Sequence, residues 1–321
     1  MSRINKLLLL LLVTQLALIA YMYRPDRVSV PPTVQFFADI DESQVVGLTI
    51  TDGERTVTMQ KEGAAWHLGA APHYPVDVKK VEGLVKKLLA LTSSRLVTHT
   101  AASHDRLKVA SDNFTRKLTL SMQGGGSKEL LLGTAPNYKS IHVRSPENDN
   151  VYLVKGLADW EAAVAPEDWW ANNYLDVEPT SVQSVSLLNS HGLIKLSRDK
   201  ENKWQGEGLP AGKTLADEAL HAFLSKACLV QLSAYLGRER TDAEFGLDKP
   251  LVDLELVTAS GPIHFKVAAA TKADQKDEYV AKASNSPFYV TVHGYEIKGL
   301  LDASLPQLLA SGEEASPSGK D

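Results

Sequence analysis

The chain has 321 residues and a formal net charge of −5, and at roughly 150 residues per domain it should hold about two domains. Its composition, 44% hydrophobic and 23% charged, excludes global disorder, and its mild acidity argues against a nucleic-acid binder, which would show a basic face. Cys228 is the only cysteine, so an internal disulfide framework and any multi-cysteine metal or iron–sulfur site are excluded.

The N-terminus opens with Arg3 and Lys6 and then runs free of charge over Leu7–Tyr23. As a helix this stretch reaches roughly 25 Å, the short end of what spans a bilayer. A signal-peptidase site would need paired small residues, and beside Ala17 and Ala20 the partner positions hold Leu18 and Ile19. Tyr21 and Tyr23 with Arg24 and Arg27 read as interfacial residues. The expectation is an uncleaved N-terminal transmembrane helix contacting the membrane through residues 7–23. Placement would be single-pass in the inner membrane, with the body on the periplasmic side. Pro31-Pro32 makes Arg24–Gln35 an extended stalk. Residues 1–36 are thus anchor and stalk, and 311–321 (SGEEASPSGKD) a disordered tail.

The body reads as one module written twice, over 37–173 and 174–310. FADIDESQVVGLTI (Phe37–Ile50) is echoed by YLDVEPTSVQSVSL (Tyr174–Leu187). Asp39 meets Asp176, Asp41 meets Glu178, and Val45, Leu48 and Ile50 meet Val182, Val185 and Leu187. Trp66 meets Trp204 after a one-residue slip, and Val151-Tyr152-Leu153 meets Phe288-Tyr289-Val290.

Each copy starts with short strands (Val45–Ile50, Thr56–Gln60; Val182–Leu187, Leu193–Ser197) bounded by turn formers. A helix follows. Val78, Val81, Leu84, Val85, Leu88 and Leu89 make one apolar stripe, and Leu220, Phe223, Leu224, Ala227 and Cys228 the second. Thr214 and Asp217 resemble a capping box. More strands come next (Lys117–Ser121, Leu130–Leu132, His142–Arg144, Val151–Val154; Val252–Val257, Ile263–Val267, Tyr279–Lys282, Phe288–Thr291). Apolar stretches at Leu157–Val164 and Ile297–Leu309 end each copy and are expected to be helical. The fold class expected is α+β: a transmembrane helix, then two tandem repeats, each a mostly antiparallel sheet packed on one main helix.

Four features carry a family resemblance. They are the acidic lead-ins (Asp39-Ile40-Asp41; Asp176-Val177-Glu178), a tryptophan closing the third strand (Trp66; Trp204), the segment Phe245-Gly246-Leu247-Asp248-Lys249-Pro250, and the strand end Leu130–Gly133. The pattern resembles a bacterial family, domain of unknown function 4340, as two tandem copies over most of Phe37–Leu309. Copy one departs at Leu107–Asp112, which lacks both the glycine and the proline, and copy two has Ala268 after Val267. The resemblance implies an envelope protein anchored by one helix, with some members companions of ABC-type export systems, including those linked to gliding motility. It brings no catalytic residues.

A search for chemistry returns no His-Glu-x-x-His or Gly-x-Ser-x-Gly pattern. The nine histidines are scattered. Ser190-His191-Gly192 and Gly124-Gly125-Gly126-Ser127-Lys128 read as hairpin turns. Cys228 lies on a helix stripe as a small apolar residue. The lead-in acids read as turn features. No catalytic group, cofactor or metal site is expected, and the chain reads as a non-enzyme. The distinctive segment is Pro166–Tyr174 (PEDWWANNY), where Trp169 and Trp170 are adjacent; one can pack a joint while the other offers an anchor to a protein partner. The function expected is a membrane-anchored scaffold or accessory subunit of a membrane complex in the envelope. The rival is a periplasmic module binding a solute or glycan between the repeats.

Overall fold

The computed structural model describes residues 3–22, 32–70, 72–270 and 277–310. The expected stalk up to residue 31 and the expected tail at 311–321 lie outside them. The helices are α1 (Arg3–Met22), α2 (Val78–Leu89), α3 (His104–Leu107), α4 (Asp217–Cys228) and α5 (Gly294–Leu301).

Two eight-stranded antiparallel sheets make up the body. In the first, the strands lie in the order Ala65–Leu68, Thr56–Glu62, Val45–Thr51, Arg116–Met122, Ser127–Leu132, Ser140–Arg144, Val151–Lys155, Leu96–Thr98. In the second, the order is Trp204–Gly206, Gly192–Arg198, Val182–Asn189, Val252–Thr258, Gly261–Ala269, Glu278–Ala283, Tyr289–His293, Ala234–Gly237. Residue contacts group the chain into two compact units. One comprises Met1–Val45, Ile50–Glu54 and Leu84–Ala162; the other comprises Val46–Thr49, Arg55–Gly83 and Ala163–Asp321.

The strands alternate as half-buried strands must. In Val252–Thr258 every second residue is buried, and Leu254 and Leu256 face Phe265 and Ile263 across the ladder. In the second unit, Val185, Leu187, Ile194, Leu196, Leu254, Leu256 and Phe265 form one core with Leu220, Phe223, Leu224, Ala227 and Cys228 of α4. In the first unit, Leu118, Leu120, Leu130, Leu132, Ile141 and Val143 are fully buried. Along α2, Val81, Leu84, Val85 and Leu88 are buried, while Val78 at the first turn is exposed. Asp77 caps α2 by accepting from the Lys80 N–H at 3.1 Å, and Lys86 and Lys87 sit in its last turn, where the helix dipole favours cations.

Each sheet also carries a small cluster closed by a loop. In the first unit it is Leu107, Val109, Leu131 and Val151, with Phe114 packed on them. In the second it is Phe245, Leu247, Ala268, Val280 and Tyr289.

Four expectations are corrected. The fold is mostly β, not α+β, because each main helix has only 12 residues against eight strands. Among the described residues no helix is long and apolar enough to cross a membrane, which overturns the N-terminal transmembrane helix. The part of α1 beyond Lys6 measures about 24 Å against a hydrocarbon layer of about 30 Å, and Thr14 and Gln15 interrupt it. Leu157–Val164 is no regular helix; it contains the 3-10 turn Asp159–Glu161. The Thr214–Asp217 capping box does not form: Ala216 precedes α4 and offers no side-chain cap.

Candidate functional site

Pro166 starts a 3-10 turn, Pro166–Trp169, that sets the two tryptophans apart. Trp169 is fully buried. Its indole N–H donates to the Ala163 carbonyl at 3.0 Å, its own carbonyl accepts from the Asp77 N–H at 2.8 Å, and the Lys80 ammonium lies 4.9 Å from its ring centroid. The Asp77 and Lys80 contacts hold this turn to the start of α2.

Trp170 is half-buried and packs edge-on to Tyr74 (6.0 Å) and Tyr235 (5.4 Å). Tyr74 stacks on Tyr235 at 4.3 Å, and Phe288 meets both rings edge-on. The Tyr235 hydroxyl donates to the Ala171 carbonyl at 3.3 Å, and burial pushes its phenol far above the ordinary tyrosine range. The Trp170 indole N–H is buried without an acceptor among the described residues. Of the pair expected from the sequence, one side chain is therefore core, and the other belongs to a four-ring aromatic cluster with an unsatisfied donor.

Several other polar residues make local hydrogen bonds within the fold. Asp41 caps the turn Glu42–Gln44 by accepting from the Ser43 N–H at 2.8 Å, and the Ser43 bonds hold its carboxyl below the usual range. Asp176 accepts from Asn173, and Glu178 from Thr180. His67 and His73 both turn Nδ1 to the Leu68 carbonyl at 3.0 Å. His142 sits against the Thr134 carbonyl at 2.8 Å, and burial lowers its pKa. Cys228 is buried, and burial pushes its thiol up to about 11. Among the described residues no group of three or more His, Cys, Asp or Glu could hold a metal ion.

The residue-pattern reading missed a cleft in the first unit. Two loops form it at one end of the paired strands Ser140–Arg144 and Val151–Lys155, where Ser140 stands opposite Lys155. The loop before the first strand carries Tyr138 and Lys139, and Asn137 fixes it by accepting from the Lys139 N–H and the Ser140 hydroxyl, each at 3.0 Å. The loop after the second strand runs from Gly156 to Trp160. Glu161 holds that loop by accepting from the Ala158 N–H at 3.0 Å and pairing with Lys87. The cleft has a volume of about 440 Å³. Leu157 is buried in its floor, and Trp160 and Tyr138 stand on its walls with 75% and 83% of their surfaces exposed. Lys87, Lys139 and Lys155 line it, with Glu161; Lys139 also lies 5.1 Å from the Tyr138 ring. Of the five tryptophans, Trp160 is the most exposed.

This surface offers ring faces, a buried leucine and cations. The molecule is a mostly-β protein with two antiparallel sheets, each carrying one main helix. The chain belongs to the family of the domain of unknown function DUF4340, whose sequence profile matches it once, over residues 66–250. No curated protein and no solved structure matches it.

Proposed function

We propose that this chain is a non-enzymatic, membrane-associated protein of the cell envelope that works by contact, as a scaffold or accessory subunit of a membrane complex. The observation that carries the reading is α1. Leu10, Leu11, Leu12, Val13, Leu16, Leu18 and Ile19 are each more than half exposed, an apolar surface of a kind that soluble monomers do not leave bare. The occupant that suits this exposed apolar surface is a membrane, met at its acyl boundary without being crossed. The motifs behind the family likeness have folding roles that agree with a contact protein. Phe245 and Leu247 close a core cluster, Trp66 is buried, and Gly133 admits a neighbouring carbonyl.

The body is proposed to be two tandem copies of the family module. The identical strand order of the two sheets supports this, as do the paired bonds Asp77 N–H to Trp169 carbonyl and Ala216 N–H to Leu308 carbonyl, both 2.8 Å. An experimental structure in which Val45–Leu153 fails to superpose on Val182–Val290 would refute the duplication. The functional reading is tested by crosslinking the full-length protein in its native membrane and purifying it. Recovery with defined membrane-protein partners is expected; recovery alone from the aqueous fraction would contradict it.

A further inference from the structure

We infer that the Trp160–Tyr138 cleft is a landing surface for an anionic lipid headgroup layer. This inference rests on the membrane reading above and assigns the first unit a second, headgroup-level contact.

Three observations on the molecule lead there. First, the side chains are of the interfacial kind. Trp and Tyr carry an apolar body with a polar tip and settle where one side is apolar and the other wet. Here both stand free at the mouth of an apolar-floored cleft and are displayed by loops that internal hydrogen bonds already hold in place. Little ordering cost therefore attends binding.

Second, the charge favours an anionic partner of diffuse geometry. Lys87, Lys139 and Lys155 face one cleft acid, Glu161, which Lys87 already pairs; Asp159 beside it, accepting from the Trp160 N–H at 2.9 Å, is a second acid, so the lysines outnumber the acids three to two. Lys139 and Lys155 remain as flexible point charges. A single carboxylate or phosphate group is best gripped by the rigid fork of an arginine, and no arginine lines this cleft. Lysines on flexible stems suit a plane of phosphate-bearing headgroups instead.

Third, the chain enters the body near this cleft. The Gln35 side chain donates to the Leu89 carbonyl at 3.1 Å, at the end of the helix that carries Lys87. From Met22 at the end of α1 to Val34 the backbone can reach at most about 40 Å. A surface engaged by α1 is therefore within tether range of the cleft.

The test uses the full-length chain with phosphatidylcholine vesicles whose acyl chains carry bromine, a short-range quencher of indole fluorescence, with and without phosphatidylglycerol. The inference expects quenching in the anionic vesicles that disappears in Trp160→Phe and persists in Trp170→Phe. It expects Lys139→Gln/Lys155→Gln to weaken that quenching about tenfold to thirtyfold in lipid concentration. Quenching that is unchanged in Trp160→Phe, or equal in neutral and anionic vesicles, overturns it. So does a cleft that an acidic peptide protects from labelling while lipid leaves Trp160 unquenched. Leu12→Asp/Leu16→Asp separates the two readings. If this variant stays bound as tightly as the parent chain, the role given to α1 fails, while the Trp160 signal continues to judge the cleft.

Discussion

Lys108 occupies the left-handed backbone region (φ 53°, ψ 47°) that Gly246 fills at φ 71°, ψ 14° in the second sheet. Both residues end a short helical turn and are flanked by buried apolar residues, Leu107 and Val109 in one case, Phe245 and Leu247 in the other. The sequence carries lysine where the other turn carries glycine, yet the backbone keeps the conformation that a glycine would have made cheap. A side chain there costs about 1 kcal/mol or more, partly offset by the lower entropy of a non-glycine unfolded chain. Lys108→Gly is therefore expected to stabilise the protein by about 0.5–1 kcal/mol, read as a rise in the urea midpoint at constant slope.

Gly133 should tolerate no side chain. A Cβ there would lie 2.1 Å from the Leu107 carbonyl oxygen and 2.6 Å from Val109 Cγ1. The Thr134 N–H bonds that same carbonyl at 2.8 Å, so the loop cannot retreat without losing a bond. Gly133→Ala should cost about 3 kcal/mol or more. Gly83 in α2 has nothing within 4 Å of the same position, and Gly83→Ala should stabilise by about 0.5–1 kcal/mol. Thermal unfolding of the two variants side by side checks both signs.

The tryptophan pair should divide in its effects. Trp169→Ala removes a fully buried ring and its bond to Ala163, and is expected to cost about 3–5 kcal/mol of stability. Trp170→Phe keeps a ring against Tyr74 and Tyr235 while removing the unsatisfied indole N–H. It should be neutral or stabilising by up to about 1 kcal/mol. Chemical denaturation distinguishes the outcomes.

Stability should fall in alkali. Burial holds the Cys228 thiol at about 11 instead of 9.0. Burial and then the bond to Asp242 hold the Tyr289 phenol at about 12 instead of 10.0. Both groups are neutral when protonated and keep the proton longer in the folded chain. The unfolded chain therefore binds fewer protons between pH 9 and 12, and unfolding becomes easier as pH rises. The contribution is complete below about pH 9 and is lost through the folded values. A urea midpoint at pH 11 below that at pH 8, with a smaller drop in Cys228→Ala, is the expected result. The same burial should leave Cys228 unreactive to thiol reagents at pH 8 until the chain unfolds.

The strands and main helices were legible where one face is buried. The α4 stripe Leu220, Phe223, Leu224, Ala227 and Cys228 is buried throughout, because a helix on a sheet must hide a single face. The short edge strands Leu96–Thr98 and Ala234–Gly237 were not legible. Their residues are largely exposed or half-buried, and pairing with distant strands alone defines them. They bring each sheet to eight strands and so make the fold mostly β. Trp160 is not legible from sequence because it sits among Leu157, Ala162 and Val164, residues whose apolar spacing reads as a helix; only the fold shows that the ring faces outward. The adjacency of Trp169 and Trp170 is plain in the sequence, but which of the two rings is buried is set by the turn that Asp77 and Ala163 hold.

Flotation of the full-length protein with phospholipid vesicles on a density gradient tests membrane association most directly. The parent chain is expected to rise with the vesicles, and Leu12→Asp/Leu16→Asp, folded to the same extent by circular dichroism, to remain at the bottom. A parent chain that stays at the bottom, or a variant that floats as fully as the parent, would contradict the account.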